Sequence, residues 1–172
     1  MGGTSSRRRG VLGSAAAAVL LLAAAGCGSA GTPFEALARD PTEVTYAASL
    51  GVNLDEMTRS PTGLYYQTLT EGRGAEVAAA GDSLLVHYTG WTRNGARFDR
   101  SPDDRPLMVV LGEGTVIPGF EEGLEGMRLG EERLLVIPHE LAYGSRRIGD
   151  IPPYAILVFR IELVGLEKAQ AS

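Results

Sequence analysis

The chain has 172 residues, 44% hydrophobic and 22% charged, with a net charge of −5. That composition places it among globular proteins, with length for one ordinary domain plus extras. The first 26 residues hold three arginines and no acid, so the remainder is more acidic still, and a mildly acidic domain without a basic patch argues against nucleic-acid binding. The single cysteine, Cys27, leaves no internal disulfide and no paired-cysteine zinc motif. With only His87 and His139 in addition, no metal site is expected.

Residues 1–26 read as a secretory signal peptide: a basic start, an alanine- and leucine-rich core, then small residues. The core is too short and too rich in alanine for a good membrane span. The run AAGC at 24–27 resembles a bacterial lipoprotein box. That resemblance implies Cys27 as the first residue of the mature chain, joined to diacylglycerol through its thiol. Each buried CH₂ of an acyl chain contributes about 0.8 kcal/mol, so several chains on one cysteine anchor firmly. Ala24 departs from the leucine usual in such a box. A plain signal peptide cleaved near Ala25 or Ala30 is the alternative. Arg8 and Arg9 also resemble a twin-arginine signal, and ordinary basic charge explains them as well.

Residues 27–62 are read as a tether followed by one short helix or an irregular arm, with a weakly amphipathic patch over 34–57. The main domain is expected over 63–168, with a tail at 169–172. LYYQTL is a candidate strand. In SLLVHYTGW, Leu84, Val86 and Tyr88 alternate with Leu85, His87 and Thr89, the period of a two-faced strand. Asn94-Gly95 is a hairpin signal, and PLMVVLG at 106–112 is another strand. Over 114–127 the period changes: Phe120, Leu124 and Met127 share one helical face, and Pro118 suits a helix start. EERLLVIP returns to strand. In the closing run Ala155, Leu157, Phe159, Ile161 and Leu163 share a face opposite Arg160 and Glu162. The pattern is α+β, five to six antiparallel strands with one short α-helix against one sheet face.

Three stretches, HYTGWTRNGARFDRS (87–101), VIPGFEEGLEGMRLGEERLLVIPHELAYG (116–144) and IPPYAILVFRIELVGLE (151–167), resemble the FKBP family of peptidyl-prolyl cis–trans isomerases. The resemblance runs from about Leu64 to Glu167 in the family's order and spacing. It implies a twisted antiparallel β-sheet wrapped around one short α-helix. It also implies isomerisation of X–Pro bonds, a reaction needing no cofactor, nucleophile or metal. The implied partners are proline-containing polypeptides folding outside the cytoplasm, the membrane through Cys27, and macrolide inhibitors. An exported monomer, lipid-anchored to the cell envelope membrane on its periplasmic or extracytoplasmic face, is expected.

The resemblance maps a site onto this chain. Tyr88, Phe98, Val116, Ile117, Phe120 and Phe159 would line a proline pocket with Phe120 as its floor. Asp99 would accept a hydrogen bond from Tyr88 at the edge. The Tyr143 hydroxyl and the Ile117 N–H would donate to substrate carbonyls, and Leu141 and Tyr154 would form the rim. Periodicity alone makes Phe98, Val116 and Phe159 core residues, Tyr88 a core tyrosine with a satisfied hydroxyl, and Asp99 a turn residue. His87 and His139 are assigned no catalytic role.

Three positions depart from the family pattern: Phe120 replaces a frequent tryptophan, Leu107 a common aromatic, and Leu141 a tyrosine. Each is expected to weaken bulky macrocycles more than turnover. The connection 144–151 is short, implying a bare isomerase domain. Its Arg146 and Arg147 are read as solvated charges, with a bias toward acidic substrate flanks as the alternative. A proline-motif binding module with incidental turnover and a general chaperone are the other functional readings. The chaperone would need a large exposed apolar patch.

Overall fold

The computed structural model describes residues 40–170. The signal peptide, Cys27 and the start of the arm lie outside the described residues. The chain builds one antiparallel sheet. Its strands are β1 (Thr58–Arg59), β2 (Tyr65–Thr70), β3 (Ser83–Thr92), β4 (Arg97–Arg100), β5 (Leu107–Val110), β6 (Glu132–Ile137) and β7 (Leu157–Glu167), with α1 (Pro118–Leu124) between β5 and β6. The spatial order is β1-β2-β6-β7-β3-β4, and β5 also pairs with β3. The expected strands are present, joined by a two-residue β1 from the end of the arm.

β3 organises the sheet. One edge pairs with β7 along its whole length, from Ser83↔Glu167 to Thr92↔Leu157. Its other edge is shared: Ser83–Val86 pairs with β5, and Thr89–Trp91 pairs with β4 across the Asn94-Gly95 turn. Gly95 takes φ +86°, which the hairpin needs and glycine adopts at little cost. The alternation read from the sequence holds, with Leu84 and Val86 on β3 and Leu157, Phe159, Ile161 and Leu163 on β7 all buried.

These residues meet α1 in the main core. Phe120, Leu124 and Met127 are 3%, 0% and 0% exposed. The helix ends at Leu124, earlier than their spacing implies, and Met127 reaches the core from a turn in which its N–H donates to the Leu124 carbonyl. Arg133, buried on β6, closes the helix end: its Nη1 donates to the Gly123 carbonyl at 2.9 Å and the Glu125 carbonyl at 3.0 Å. Glu131 balances it with an oxygen 2.8 Å from Nε. The guanidinium therefore satisfies carbonyls that a helix end leaves open.

The opposite sheet face carries a second core. Leu134, Val136, Ile156 and Val158 pack there with Tyr65, and Leu50 and Met57 cover them from the arm. The described arm forms three 3-10 turns at Pro41–Glu43, Ala48–Leu50 and Leu54–Glu56 rather than an α-helix. Val44, Tyr46, Ala47, Val52 and Leu54 pack against the same cluster. The irregular arm is thus a packed layer from its first described residues onward.

Candidate active site

At the β4 end of the sheet, four aromatic rings converge on the face shared with α1. Phe159 from β7 is the hub. Its ring centroid lies 5.5 Å from Phe98, 5.3 Å from Phe120 and 6.2 Å from Tyr88. Tyr88 in turn meets Phe120 at 5.7 Å. Three of the four contacts are edge-to-face, the geometry that the ring quadrupoles favour. Phe120 and Phe159 are buried, whereas Tyr88 and Phe98 are half-buried. The box is therefore apolar and open on one side.

Polar groups stand at its edge. The Tyr88 hydroxyl donates to Asp99 Oδ2 at 2.7 Å, and Asp99 Oδ1 accepts from the Arg100 N–H at 2.8 Å. Burial, and then the Asp99 carboxylate beside it, push the Tyr88 hydroxyl well above the usual tyrosine range. It remains a donor across ordinary pH. Ile117 is the residue before α1, and its carbonyl accepts from the Phe120 and Glu121 N–H groups. Among the described residues no acceptor takes the Ile117 N–H or the Tyr143 hydroxyl, so both are available to a ligand.

The residues expected at the site are distributed as follows. Tyr88, Phe98, Leu107, Val116, Ile117, Leu141 and Tyr143 all pack as half-buried side chains against the core that contains Phe120 and Phe159. Leu107 faces inward, paired with Val86. Asp99 is exposed and joined to the group through Tyr88. Tyr154 is not among the side chains packed on this core; its ring meets His139 edge-on at 5.3 Å. Cys27 lies outside the described residues.

One position that the sequence reading passed over is Gly90. It pairs with Asp99 on one side and Phe159 on the other. A Cβ there would sit 2.7 Å from Phe159 Cε1 and 2.7 Å from Phe98 Cζ. The missing side chain is what lets these two rings close over β3. The available signal was a glycine inside a strand, which marks close approach. Gly119 and Gly123 act similarly beneath the helix, where a Cβ would meet Ile137 at 2.4 Å and Leu135 at 2.2 Å.

On the other face of β3 lies a polar depression of about 310 Å³, bounded by His87, Thr89, Ser101, Glu132, Arg160 and Glu162 among others. His87 Nδ1 is 3.0 Å from Ser101 Oγ there. Tyr88 borders both this depression and the aromatic box.

The chain is similar to known proteins in sequence and in structure. A family model described as FKBP-type peptidyl-prolyl cis-trans isomerase matches residues 74–164. An FK506-binding protein of Neisseria meningitidis serogroup B is 49% identical over 104 residues, covering 59% of this chain and 94% of its own length. A mouse peptidyl-prolyl cis-trans isomerase is 49% identical over 90 residues, covering 51% of this chain and 64% of its own. The crystal structure of FkpA from Escherichia coli superposes with a TM-score of 0.60 at 40% identity, over 67% of this chain and 53% of that one. A peptidyl-prolyl cis-trans isomerase of Pseudomonas syringae pv. tomato superposes with a TM-score of 0.59 at 32% identity, over 70% of this chain and 87% of that one.

Proposed function

Because this chain belongs to the FKBP-type peptidyl-prolyl cis-trans isomerase family, we propose that its four-ring box isomerises X–Pro bonds of exported polypeptides while Cys27 holds the protein at a membrane. Peptidyl-prolyl isomerisation is the activity of the chain. The uncatalysed step crosses a barrier of about 18–20 kcal/mol and takes tens to hundreds of seconds. No bond is made or broken, so the protein needs only to favour the twisted amide over the planar one. Twisting removes C–N double-bond character and reduces charge separation. An apolar enclosure therefore disfavours the planar ground state more than the transition state.

The observation that carries this reading is the ring box closed at its rim by the Tyr88–Asp99 hydrogen bond of 2.7 Å. Phe120 and Phe159 form the floor and wall for the prolyl ring, with Phe98, Val116 and Leu107 around them. Asp99 fixes the Tyr88 ring. The Ile117 N–H and Tyr143 hydroxyl hold the flanking carbonyls, which keeps the peptide in register through the rotation. Leu141 flanks the entrance. A macrolide would occupy the same box, more weakly because Phe120 fills less of it than an indole. Export and attachment rest on the basic-apolar start and the AAGC run.

Exchange between cis and trans forms of a Leu-Pro or Phe-Pro peptide, followed by NMR, should accelerate at micromolar protein. Asp99→Val and Phe159→Tyr should each lower kcat/KM by on the order of tenfold, about 1.4 kcal/mol of transition-state stabilisation. Exchange at the background rate would refute the site. In the same preparations, the mature N-terminus should be a diacylated Cys27 by mass spectrometry; an unmodified thiol or cleavage elsewhere would refute the anchor alone.

A further inference from the structure

We propose that Arg146 and Arg147 select substrates carrying an acidic residue close to the isomerised proline. This rests on the isomerase reading of the ring box and adds a substrate class to it. Both arginines are exposed, and neither is paired with a carboxylate among the described residues. Three other arginines are paired with carboxylates, Arg100 with Asp103 at 3.3 Å, Arg133 with Glu131 at 2.8 Å and Arg160 with Glu132 at 3.5 Å, whereas Arg73, Arg97 and Arg105, like Arg146 and Arg147, show no carboxylate partner among the described residues. Asp150 is the acid within the 144–151 segment, and Glu140, just before it, lies 3.1 Å from His139 Nε2 and keeps its own negative charge. The segment therefore keeps a positive charge on a protein whose net charge is −5.

Its position ties that charge to the site. The Arg146 N–H donates to the Tyr143 carbonyl at 3.1 Å, so Arg146 stands one turn from the ring whose hydroxyl faces the peptide. The segment is also fixed in several places. The Gly144 N–H donates to His139 at 2.9 Å, and the Tyr154 N–H returns to the Gly144 carbonyl at 2.7 Å. Ile148 and Ile151 exchange backbone bonds of 3.1 and 2.8 Å, and Ile151 is 4% exposed in the main core. Tyr154 is held at φ +59°, the one non-glycine residue at positive φ among the described residues. A backbone pinned this way needs little further ordering on binding, which leaves only the arginine side chains to be ordered. Because the loop continues directly from Tyr143, a peptide held between the Ile117 N–H and the Tyr143 hydroxyl would run beside it on one side. A carboxylate in that stretch meets two guanidiniums, each able to engage it in a bidentate hydrogen bond.

The test uses the full chain and Leu-Pro peptides with Glu, Gln or Lys placed either before or after the pair. At low salt the Glu peptide in one placement should exceed its Gln counterpart about three- to fivefold in kcat/KM, and Lys should fall below it, as expected for exposed charges at short range. The preference should vanish in the R146Q/R147Q double variant and at about 0.5 M salt, where the Debye length is only a few ångströms. Turnover of the Gln peptides should survive in that variant. Equal rates for Glu and Gln in both placements, or a preference that persists in R146Q/R147Q, would overturn the selection while leaving the isomerase intact. Failure to turn over any peptide would overturn both.

Discussion

Gly90 shows how one missing side chain shapes the site. Its place between Asp99 and Phe159 in the ladder leaves room for the Phe98 and Phe159 rings to touch at 5.5 Å. Gly90→Ala would put a methyl 2.7 Å from both rings. One or both must swing away, which costs about 1–3 kcal/mol by the general scale of overpacking. Turnover should fall further than stability does, because the displaced rings are the pocket wall. A Gly90→Ala protein with wild-type kcat/KM would show that the Phe98–Phe159 contact does not set the pocket. Residue by residue, the strand faces were legible: Tyr88 and Phe159 occupy the inward positions that the alternation predicts. Their convergence was not, since a period of two says which face a ring is on and nothing about which ring on another strand it meets. Only the resemblance linked Tyr88 to Asp99, and Gly90 looked like any glycine in a strand.

The same limit applies to whole elements. The helix was legible from the spacing of Phe120, Leu124 and Met127, but its length was not. It spans seven residues, two of them glycines facing β6. Each glycine costs roughly 0.8–1 kcal/mol of helix propensity relative to alanine. A helix this short gains little from propensity in any case and depends on packing. At position 123 these effects oppose each other. Alanine would recover about 1 kcal/mol of propensity but place its Cβ 2.2 Å from Leu135 Cδ1, in a side chain that is 0% exposed. The clash should win, and Gly123→Ala should lower Tm and loosen Phe120 above it. A rise in Tm would mean that the helix has slack over β6. The arm was the least legible element. The weakly amphipathic patch over 34–57 marked an apolar side, but short 3-10 turns give no sustained period, so it did not announce a second core. The clue to that core lay across the sheet: Val158 shares the outward face with Arg160 and Glu162, and an apolar residue in that row had to be covered by something.

For the molecule as a whole, the start of β3 and the end of β7 are fastened by one buried carboxylate. Asp82 is 2% exposed. Its Oδ2 accepts from Lys168 Nζ at 2.5 Å and from the Ala79 N–H at 2.8 Å, and its Oδ1 accepts from the Ala169 N–H at 2.9 Å. Lys168 also donates to the Val77 carbonyl at 3.0 Å, so the loop before β3 and the segment after β7 share one polar knot. The Lys168 hydrogen bond, ahead of the two backbone donors, holds the Asp82 carboxyl below the usual carboxylate range, and these outweigh burial, which acts the other way. A carboxyl whose folded pKa is depressed contributes stability above its unfolded value, near 3.9, and loses it as pH falls through the folded one. Urea midpoints of the wild type should therefore be level near neutrality and decline below about pH 4. Other carboxylates will add to that decline, so the diagnostic quantity is the difference from Asp82→Asn. That variant should be less stable than the wild type at pH 7, and the gap should narrow as the solution is acidified, because the wild type alone has this contribution to lose. A gap that stays constant from pH 7 to pH 3 would assign the effect to packing around the side chain and remove the charge at Asp82 from the account.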